Sequence, residues 1–411
     1  MKFFFLFIFT TLTTISFSQK VKPVKLKKGF WVAELNLSDT DDLPFNMLVK
    51  KDKKSNLYII YNGEEQIILN NPVQKGDSLY VKFPFFNSEL VFSAKNKKSI
   101  EGYWHNYNKG ANYKIPFSSV YTKDARFSFV GKRDESVNLH GKWQVDFEPN
   151  TNSKYPAVGI FNQGIDQNSI SGTFLTETGD YRYLAGNCTA DSLYLSCFDG
   201  SHAFLFKALY EEDTLKGKFF SGTHWQSEWQ GVRNDTFNLT NPDELTYLND
   251  SSEVNFKLKT IGGKDFSFPN HHYDNKVVII QIMGTWCPNC LDESRYYKEL
   301  YTKYNQKGLE IISIGYETGD SFEDHAKKLQ LLKDKLNLNF TFLVGGRASK
   351  TLASEHFNML NDIISFPTSI FIGRDGDVKR IHTGFNGPGT GTYYTEYMQK
   401  TNALVEYLLA E

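Results

Sequence analysis

The feature that most constrains this chain is an internal duplication in its N-terminal half. Trp31 opens one unit in Gly29-Phe30-Trp31, and Trp143 opens another in Gly141-Lys142-Trp143. At almost the same spacing, each tryptophan is followed by Asp-Ser-Leu-Tyr, at Asp77–Tyr80 and again at Asp191–Tyr194. An aromatic stretch comes next in both copies, Pro84–Phe92 and Cys197–Phe206. A glycine-centred segment then closes the match, Ile100–Trp104 in one and Leu215–Phe219 in the other. Alternating aromatics in short runs broken by Gly, Asn and Asp predict antiparallel β-structure, and the repeat predicts two copies of one unit. Each copy is long enough for a small sandwich or half a barrel. The two are expected to fuse, because a duplicated unit can cover its partner's open edge.

The chain has 411 residues, so two or three domains are expected. The assignment is β unit 1 over 19–135, β unit 2 over 136–240, a linker over 241–253 and a different domain over 254–411. The stretch from Asn234 to Glu253, with Asn241-Pro242 and several acids, reads as the connector. Lys and Arg total 46 against 47 Asp and Glu, for a formal net charge of −1. So even a balance argues against nucleic acid or anionic lipid as the main partner.

The C-terminal domain has another pattern. An apolar run from Val277 to Met283 meets Trp286-Cys287-Pro288-Asn289-Cys290. A Val/Ile run that stops at small residues before a proline reads as a central strand feeding a helix. Pro288 suits the first helical position, where its missing N–H costs nothing. Cys287 then sits at the helix N-terminus, beside unpaired N–H groups and the positive end of the dipole. Cys-X-X-Cys thiols in such a setting have pKa values of about 3.5–7.5. Cys290 falls on the same helical face, within reach of a disulfide with Cys287. A zinc site would need two more ligands at similar spacing; no second pair supplies them, and the adjacent His271 and His272 point apart. No metal and no cofactor are expected. A structural disulfide over so short a loop would restrain the unfolded chain least. Redox chemistry is the remaining reading.

The rest of the domain predicts an edge hairpin over Asn255–Phe268, strands over Leu309–Tyr316 and Phe340–Val344, and a helix over Ser321–Leu336. After Pro367 come a strand through Ile372, a turn at Asp375-Gly376, a strand over Val378–Gly384 and an amphipathic helix over Thr392–Leu409. Strands alternating with helices give a parallel-centred sheet with an antiparallel edge.

On the segment Gly284–Cys290, on Glu293 and on the Phe366–Ile372 stretch containing Pro367, the region from about Asn255 to Glu411 resembles the thioredoxin superfamily. It is most similar to the TlpA/ResA group of extracytoplasmic thiol–disulfide oxidoreductases, in the AhpC/TSA-related clan. The resemblance covers about two-fifths of the chain and implies an α/β thioredoxin-like fold. It further implies Cys287 as attacking nucleophile, Cys290 as resolving thiol, and Glu293 as the proton-handling acid near Cys290. It implies Pro367 as a cis-proline beside the disulfide, with Trp286 and Phe366 at the substrate-docking position. The partners implied are substrate proteins with disulfides and a membrane thiol electron donor. Thioredoxins carry a buried Asp six residues before the first Cys; here that position is Gln281, which cannot take a proton. Glu293 or water is then left as base for Cys290, and Gln281 is expected to be a satisfied polar group in the sheet.

Met1-Lys2, the apolar run Phe3–Phe17, and Ser16 and Ser18 at cleavage-site spacing predict a signal peptide over 1–18, with Gln19 opening the mature chain. The destination expected is the periplasm or cell envelope of a Gram-negative-type cell. Without a Cys after the run there is no lipid anchor, and membrane contact is limited to an uncleaved N-terminal segment. Lys20, Lys22, Lys25, Lys27 and Lys28 read as a solvated basic leader.

Within β unit 2, a turn at Thr189–Ser192 sets Cys188 opposite Leu193. Cys197 then lies roughly 13 Å along its strand, too far for a disulfide. Both are read as buried or half-buried thiols. Asp199 and His202 are read as lying on one face of a strand, as a turn aspartate and a structural histidine. The function expected is an exported thiol–disulfide oxidoreductase, in the reductase direction. The alternatives are a peroxide-reducing antioxidant enzyme, or a binding protein whose β module is the functional part.

Overall fold

The computed structural model describes residues 25–52, 55–122, 126–127, 138–164, 168–249 and 253–411. The signal-peptide segment 1–18 lies outside the described residues.

The first unit comprises β1 (Gly29–Ser38), β2 (Asp41–Asp52), β3 (Ser55–Asn62), β4 (Glu65–Leu69), β5 (Val73–Lys75), β6 (Ser78–Lys82), β7 (Ser88–Asn96), β8 (Ser99–Asn106) and β9 (Lys114–Tyr121). They form one sheet in the order β4-β3-β2-β1-β9-β8-β7-β6-β5, whose ends β4 and β5 do not pair. The unit is thus an open half-barrel.

The second unit comprises β10 (Gly141–Phe147), β11 (Tyr155–Gln163), β12 (Ser169–Thr176), β13 (Gly179–Asp180), β14 (Leu184–Cys188), β15 (Ser192–Phe198), β16 (Ala203–Glu211), β17 (Thr214–Ser221) and β18 (Trp225–Arg233). Here β12 pairs with both β11 and β14, so eight strands close a barrel, with β13 as a short extension of β12.

The repeated residues hold equivalent posts in the two units. Trp31 and Trp143 are buried on the first strand of each, and each indole N–H donates to the carbonyl four residues earlier, Lys27 at 3.0 Å and Leu139 at 3.1 Å. Gly102 and Gly217 lie where neighbouring strands press closest: a Cβ on either would fall 1.9 Å from a backbone oxygen, of Val91 or of Lys207. The barrel core is largely aromatic, with Phe147 against Phe174, Phe206 and Trp229. Cys188 pairs across from Leu193, and both Cys188 and Cys197 are buried in that core.

The C-terminal sheet comprises β19 (Phe256–Thr260), β20 (Asp265–Phe268), β21 (Val277–Met283), β22 (Leu309–Glu317), β23 (Thr341–Arg347), β24 (Thr368–Ile372) and β25 (Val378–Thr383). Its order is β20-β19-β23-β22-β21-β24-β25. The central trio β21, β22 and β23 is parallel, and its flanks are antiparallel. The central strand β21 is buried at every position, Gln281 included, as an apolar run covered on both faces requires. Helices α1 (Pro288–Tyr304), α2 (Phe322–Leu336), α3 (Lys350–His356) and α4 (Thr392–Ala410) complete a mixed α/β thioredoxin-like domain. The sequence reading passed over α3, a helix of under two turns capped by Ser349. It also passed over the cis bond at Phe268–Pro269. Among the described residues, no helix is long and apolar enough to cross a membrane.

The connector is not a free tether. The Pro242 carbonyl accepts from Thr383 N at 3.0 Å, and Asp243 Oδ1 accepts from Arg380 Nε at 2.8 Å and contacts His382 Nδ1 at 2.6 Å. Leu248 bridges to Leu360, and Asn249 N donates to the Met359 carbonyl. The segment is a strap along the redox domain, because its backbone and its polar side chains both find partners at the sheet edge and after α3.

Candidate active site

The site begins where β21 ends. Cys287 is the N-cap of α1, and its Sγ accepts from Cys290 N at 3.2 Å; Pro288 takes the first helical position. The same Sγ lies 3.5 Å from the Phe366 carbonyl, and the Phe366–Pro367 bond is cis. Cys287 is 8% exposed and Cys290 is wholly buried. Burial, the neighbouring Cys287 and the charge of Glu293 push the Cys290 thiol well above its ordinary range. The structure therefore brings Cys287, Cys290 and Pro367 together. Trp286 donates its indole N–H to the Tyr316 carbonyl and sets its ring edge-on to Phe366. The Phe366 ring is itself buried against Tyr316, so only its backbone faces the thiol.

Glu293 is wholly buried one turn along α1 and is not a solvated surface acid. Gln281 Nε2 donates to its Oε2 at 2.8 Å, and Ser369 Oγ, at 3.0 Å, and Tyr297 Oη, at 3.2 Å, donate to its Oε1. Burial pushes its carboxyl up to about 7 against the pull of these donors. Gln281 is satisfied on its other side by Ser313 Oγ at 2.7 Å, so it buttresses Glu293 as well as filling the sheet. Sequence reasoning missed a second buried acid. Glu317, at the end of β22, accepts from Thr285 N and Thr285 Oγ1 just before the motif, and burial pushes it up to about 7.

Sequence reasoning also missed that the β barrel reaches this site. Asn289 Nδ2 donates to the Asp180 and Phe385 carbonyls, Ser365 Oγ donates to the Thr178 carbonyl at 2.7 Å, and Gly387 N donates to Asp180 Oδ2. Ser201 Oγ donates to the Trp286 carbonyl at 2.9 Å. Behind this contact, buried Arg182 pairs with Asp292 of α1, with Glu65 of the half-barrel at 2.5 Å and with Asp199 at 3.3 Å. Burial alone would lower the Arg182 pKa; the three carboxylates outweigh it and raise it. Asp199 and His202 are not on one strand face. They flank the turn between β15 and β16, where Asp199 Oδ1 accepts from the N–H groups of Ser201 and His202. Asp199 is thus a turn aspartate as expected, but His202 lines the cleft in front of Cys287. The only signal in sequence was the unusual Phe198–Phe204 segment, whose partner domain could not be read.

A helix-capping cysteine, a buried second cysteine and a cis-proline beside them define a dithiol–disulfide site on a thioredoxin-like fold. Residues 252–381 match the AhpC/TSA family. The thiol–disulfide oxidoreductase ResA of Bacillus thuringiensis subsp. konkukian is 30% identical over 146 residues, covering 36% of this chain and 74% of that protein. ResA of Halalkalibacterium halodurans is 26% identical over 133 residues, covering 32% of this chain and 66% of that one. A solved thiol–disulfide oxidoreductase from Bacteroides fragilis is 17% identical, covering 36% of this chain and 99% of its own, at a TM-score of 0.27. The chain belongs to the ResA family of thiol–disulfide oxidoreductases through its C-terminal domain, and it is an enzyme of that activity.

Proposed function

We propose that this chain is an exported disulfide reductase that uses Cys287 and Cys290 on substrate proteins. The observation that carries the reading is the asymmetry of the two thiols. Cys287 has its sulfur at a helix N-terminus, on the Cys290 N–H and at the cleft, whereas Cys290 is sealed and raised. The Cys287 thiolate attacks one sulfur of a substrate disulfide; that S–S bond breaks, and the departing sulfur leaves as a thiolate and takes a proton. Cys290 gives its proton to the Glu293 carboxylate and attacks Cys287 Sγ. The mixed disulfide breaks, the second substrate sulfur is released and protonated, and Cys287–Cys290 is left as the disulfide. Two electrons pass to the substrate, and a membrane dithiol donor restores the reduced pair. Glu293 suits its role because a carboxyl near 7 exchanges protons readily at neutral pH. The Met1–Ser18 pattern supports export, into a compartment where a dithiol needs a dedicated electron source.

The test is the reduction potential of the couple together with two variants. A potential near −270 mV, as in thioredoxin, supports reduction, and one near −120 mV would turn the reading into disulfide donation. Cys287→Ser should abolish disulfide reduction, and Cys290→Ser should accumulate mixed disulfides through Cys287. Mixed disulfides on Cys290 in the Cys287→Ser protein would reverse the roles. Hydrogen peroxide turnover as fast as disulfide turnover would replace this reading by the antioxidant one.

A further inference from the structure

His202 belongs to the barrel, yet it stands at the thiol of the other domain. The family match spans residues 252–381, so it accounts for nothing at position 202. The His202 imidazole lines the same cleft as Cys287, Trp286 and Phe366, a space of about 190 Å3. At about 30 Å3 per water that is room for about six waters, so a disulfide that reaches the sulfur lies beside the ring. The ring is held in place from three sides. It stacks on Phe204, with centroids 4.5 Å apart and planes 17° from parallel. One residue earlier, Ser201 Oγ donates to the Trp286 carbonyl at 2.9 Å, which ties this turn to the residue before Cys287. Asp199 Oδ1 accepts from His202 N, and its Oδ2 lies 3.6 Å from His202 Nδ1. Both of those facing atoms are buried without a hydrogen bond at that separation. The side chain is 30% exposed, and with Nδ1 sealed the open edge is the one that carries Nε2.

A thiol, an imidazole and a carboxylate behind the imidazole are the parts of an activated nucleophile. A ring with both nitrogens protonated gives Asp199 Oδ2 a charged donor and still offers Nε2–H to the cleft. The neighbouring groups favour that state or stand aside. Burial works against the Asp199 charge, but His202 and Arg182 hold its carboxyl below the ordinary range, with Arg182 Nε 3.3 Å from Oδ2. In the cleft, the Asp180 carboxylate is occupied by the N–H groups of Arg182 and Gly387. Burial pushes the Tyr181 phenol well above its ordinary range. His224, on the turn between β17 and β18, is brought down to about 4 by burial, by Lys109 and by His202, so it is neutral at pH 7. We propose that His202 is a catalytic residue of the redox site, a proton carrier supplied by the barrel. It takes the Cys287 proton onto Nε2, which leaves a thiolate beside an imidazolium. The thiolate attacks one sulfur of the substrate disulfide, that S–S bond breaks, and the imidazolium gives the same proton to the departing sulfur. One S–S bond forms and one breaks, the proton ends on the released thiol, and the ring is neutral again. Glu293 keeps its place at Cys290 in the second step. This rests on the reading of Cys287 as the attacking thiol.

The experiment uses the full chain, reduced beforehand, and compares wild type with His202→Gln and His202→Ala. The substrate is a pair of linear peptides joined by a single disulfide, and iodoacetamide reports the Cys287 thiolate independently; both are followed over about pH 5–8. In either variant, alkylation of Cys287 near the acid end should slow by about tenfold, the wild-type rate being regained only at higher pH. Turnover, as kcat/KM, should fall by about 100-fold. Free imidazole should restore at least about tenfold of that loss to His202→Ala, which a packing role would not allow. One measurement needs no variant: in wild-type chain with labelled histidine, carbamidomethylation of Cys287 should change the pH dependence of the His202 ring signals. Wild-type alkylation and turnover in a folded variant, a loss of turnover that imidazole leaves untouched, or ring signals indifferent to Cys287 would each overturn the inference and leave the reductase reading intact. A wild-type chain that is alkylated normally and reduces no disulfide would overturn the reductase reading and this inference with it.

Discussion

Replacing Glu293 by Gln separates the energetic role of this buried acid from its chemical one. Its carboxyl has no exposed surface and is lifted from the ordinary 4.5 to about 7, burial being the dominant cause. At ~1.4 kcal/mol per pKa unit, that corresponds to ~3 kcal/mol. The sign follows from the direction. A carboxyl raised in the folded state favours folding fully below its unfolded value, and that contribution is lost as pH climbs through the folded value. Glu293 should therefore take ~3 kcal/mol from stability between about pH 4.5 and about pH 8, and Glu293→Gln should not. Glu317 is also lifted to about 7, but it is present in both proteins and cancels in the difference. Gln keeps the volume and can still accept from Gln281, so the fold should survive. Urea denaturation of both proteins across this pH range gives the difference directly. Resolution of a Cys287 mixed disulfide, followed by stopped flow, should slow by roughly 10²–10⁴-fold and lose its inflection near neutral pH. Parallel stability curves would refute the burial argument. A changed stability profile with an unchanged resolution rate would leave Glu293 a structural acid.

Arg182→Met should cost about 3–5 kcal/mol in denaturant midpoint analysis, because it strands Asp292, Glu65 and Asp199 without their buried cation. Gly102→Ala and Gly217→Ala should each destabilise by about 1–3 kcal/mol or more, since the added methyl meets strand backbone, and circular dichroism melts would show it. A fragment over 241–411 should be more stable than one over 253–411 by about 2 kcal/mol, because only the longer one keeps the Asp243 bonds to Arg380 and His382. Equal melting temperatures for the two would show the strap to be passive.

The parts legible in sequence were those in which local pattern and global position agree. The apolar run Val277–Met283 can only be a central strand, and Cys287-Pro288 is at once a helix cap and a reactive-thiol setting. The turn at Thr189–Ser192 fixes register by itself, so Cys188 opposite Leu193 could be read directly. What stayed hidden was long-range pairing. Nothing in β4 says that it will be an edge while β12 finds a second partner. Asn241–Asn249 looked like a tether because its partners lie more than a hundred residues away: Tyr247 N donates to Asn361 Oδ1, and Asn249 Nδ2 donates to the Leu360 carbonyl. Glu317 lies one residue past the strand read over Leu309–Tyr316, and its partner Thr285 is brought in only by the parallel pairing of β21 with β22. The same limit hid the barrel at the active site: its ties are made mostly by backbone carbonyls, which carry no residue signature.

The open half-barrel explains why the β module and the redox site are one device. A sheet that stops at β4 and β5 leaves its inner face uncovered. The structure fills it with the turn between β15 and β16. Phe198 points away from the barrel and packs on Phe45, Phe83 and Trp104 of the half-barrel, while the preceding Cys197 points into the barrel core. Alternation along one strand thus serves two cores. The backbone of the plug is satisfied by the half-barrel too: Asn62 bonds both the N–H and the carbonyl of Phe198, and Asn106 donates to the Ser201 carbonyl. Ser201 then reaches out to Trp286, and Asp199 holds Arg182, which holds Asp292 on α1. A displacement of the plug from the half-barrel cannot stay local, because the same few residues carry the contact with the active site. The duplication therefore does more than enlarge the protein. One copy closes on itself, and the other stays open to grip the turn that the closed copy presents to Cys287.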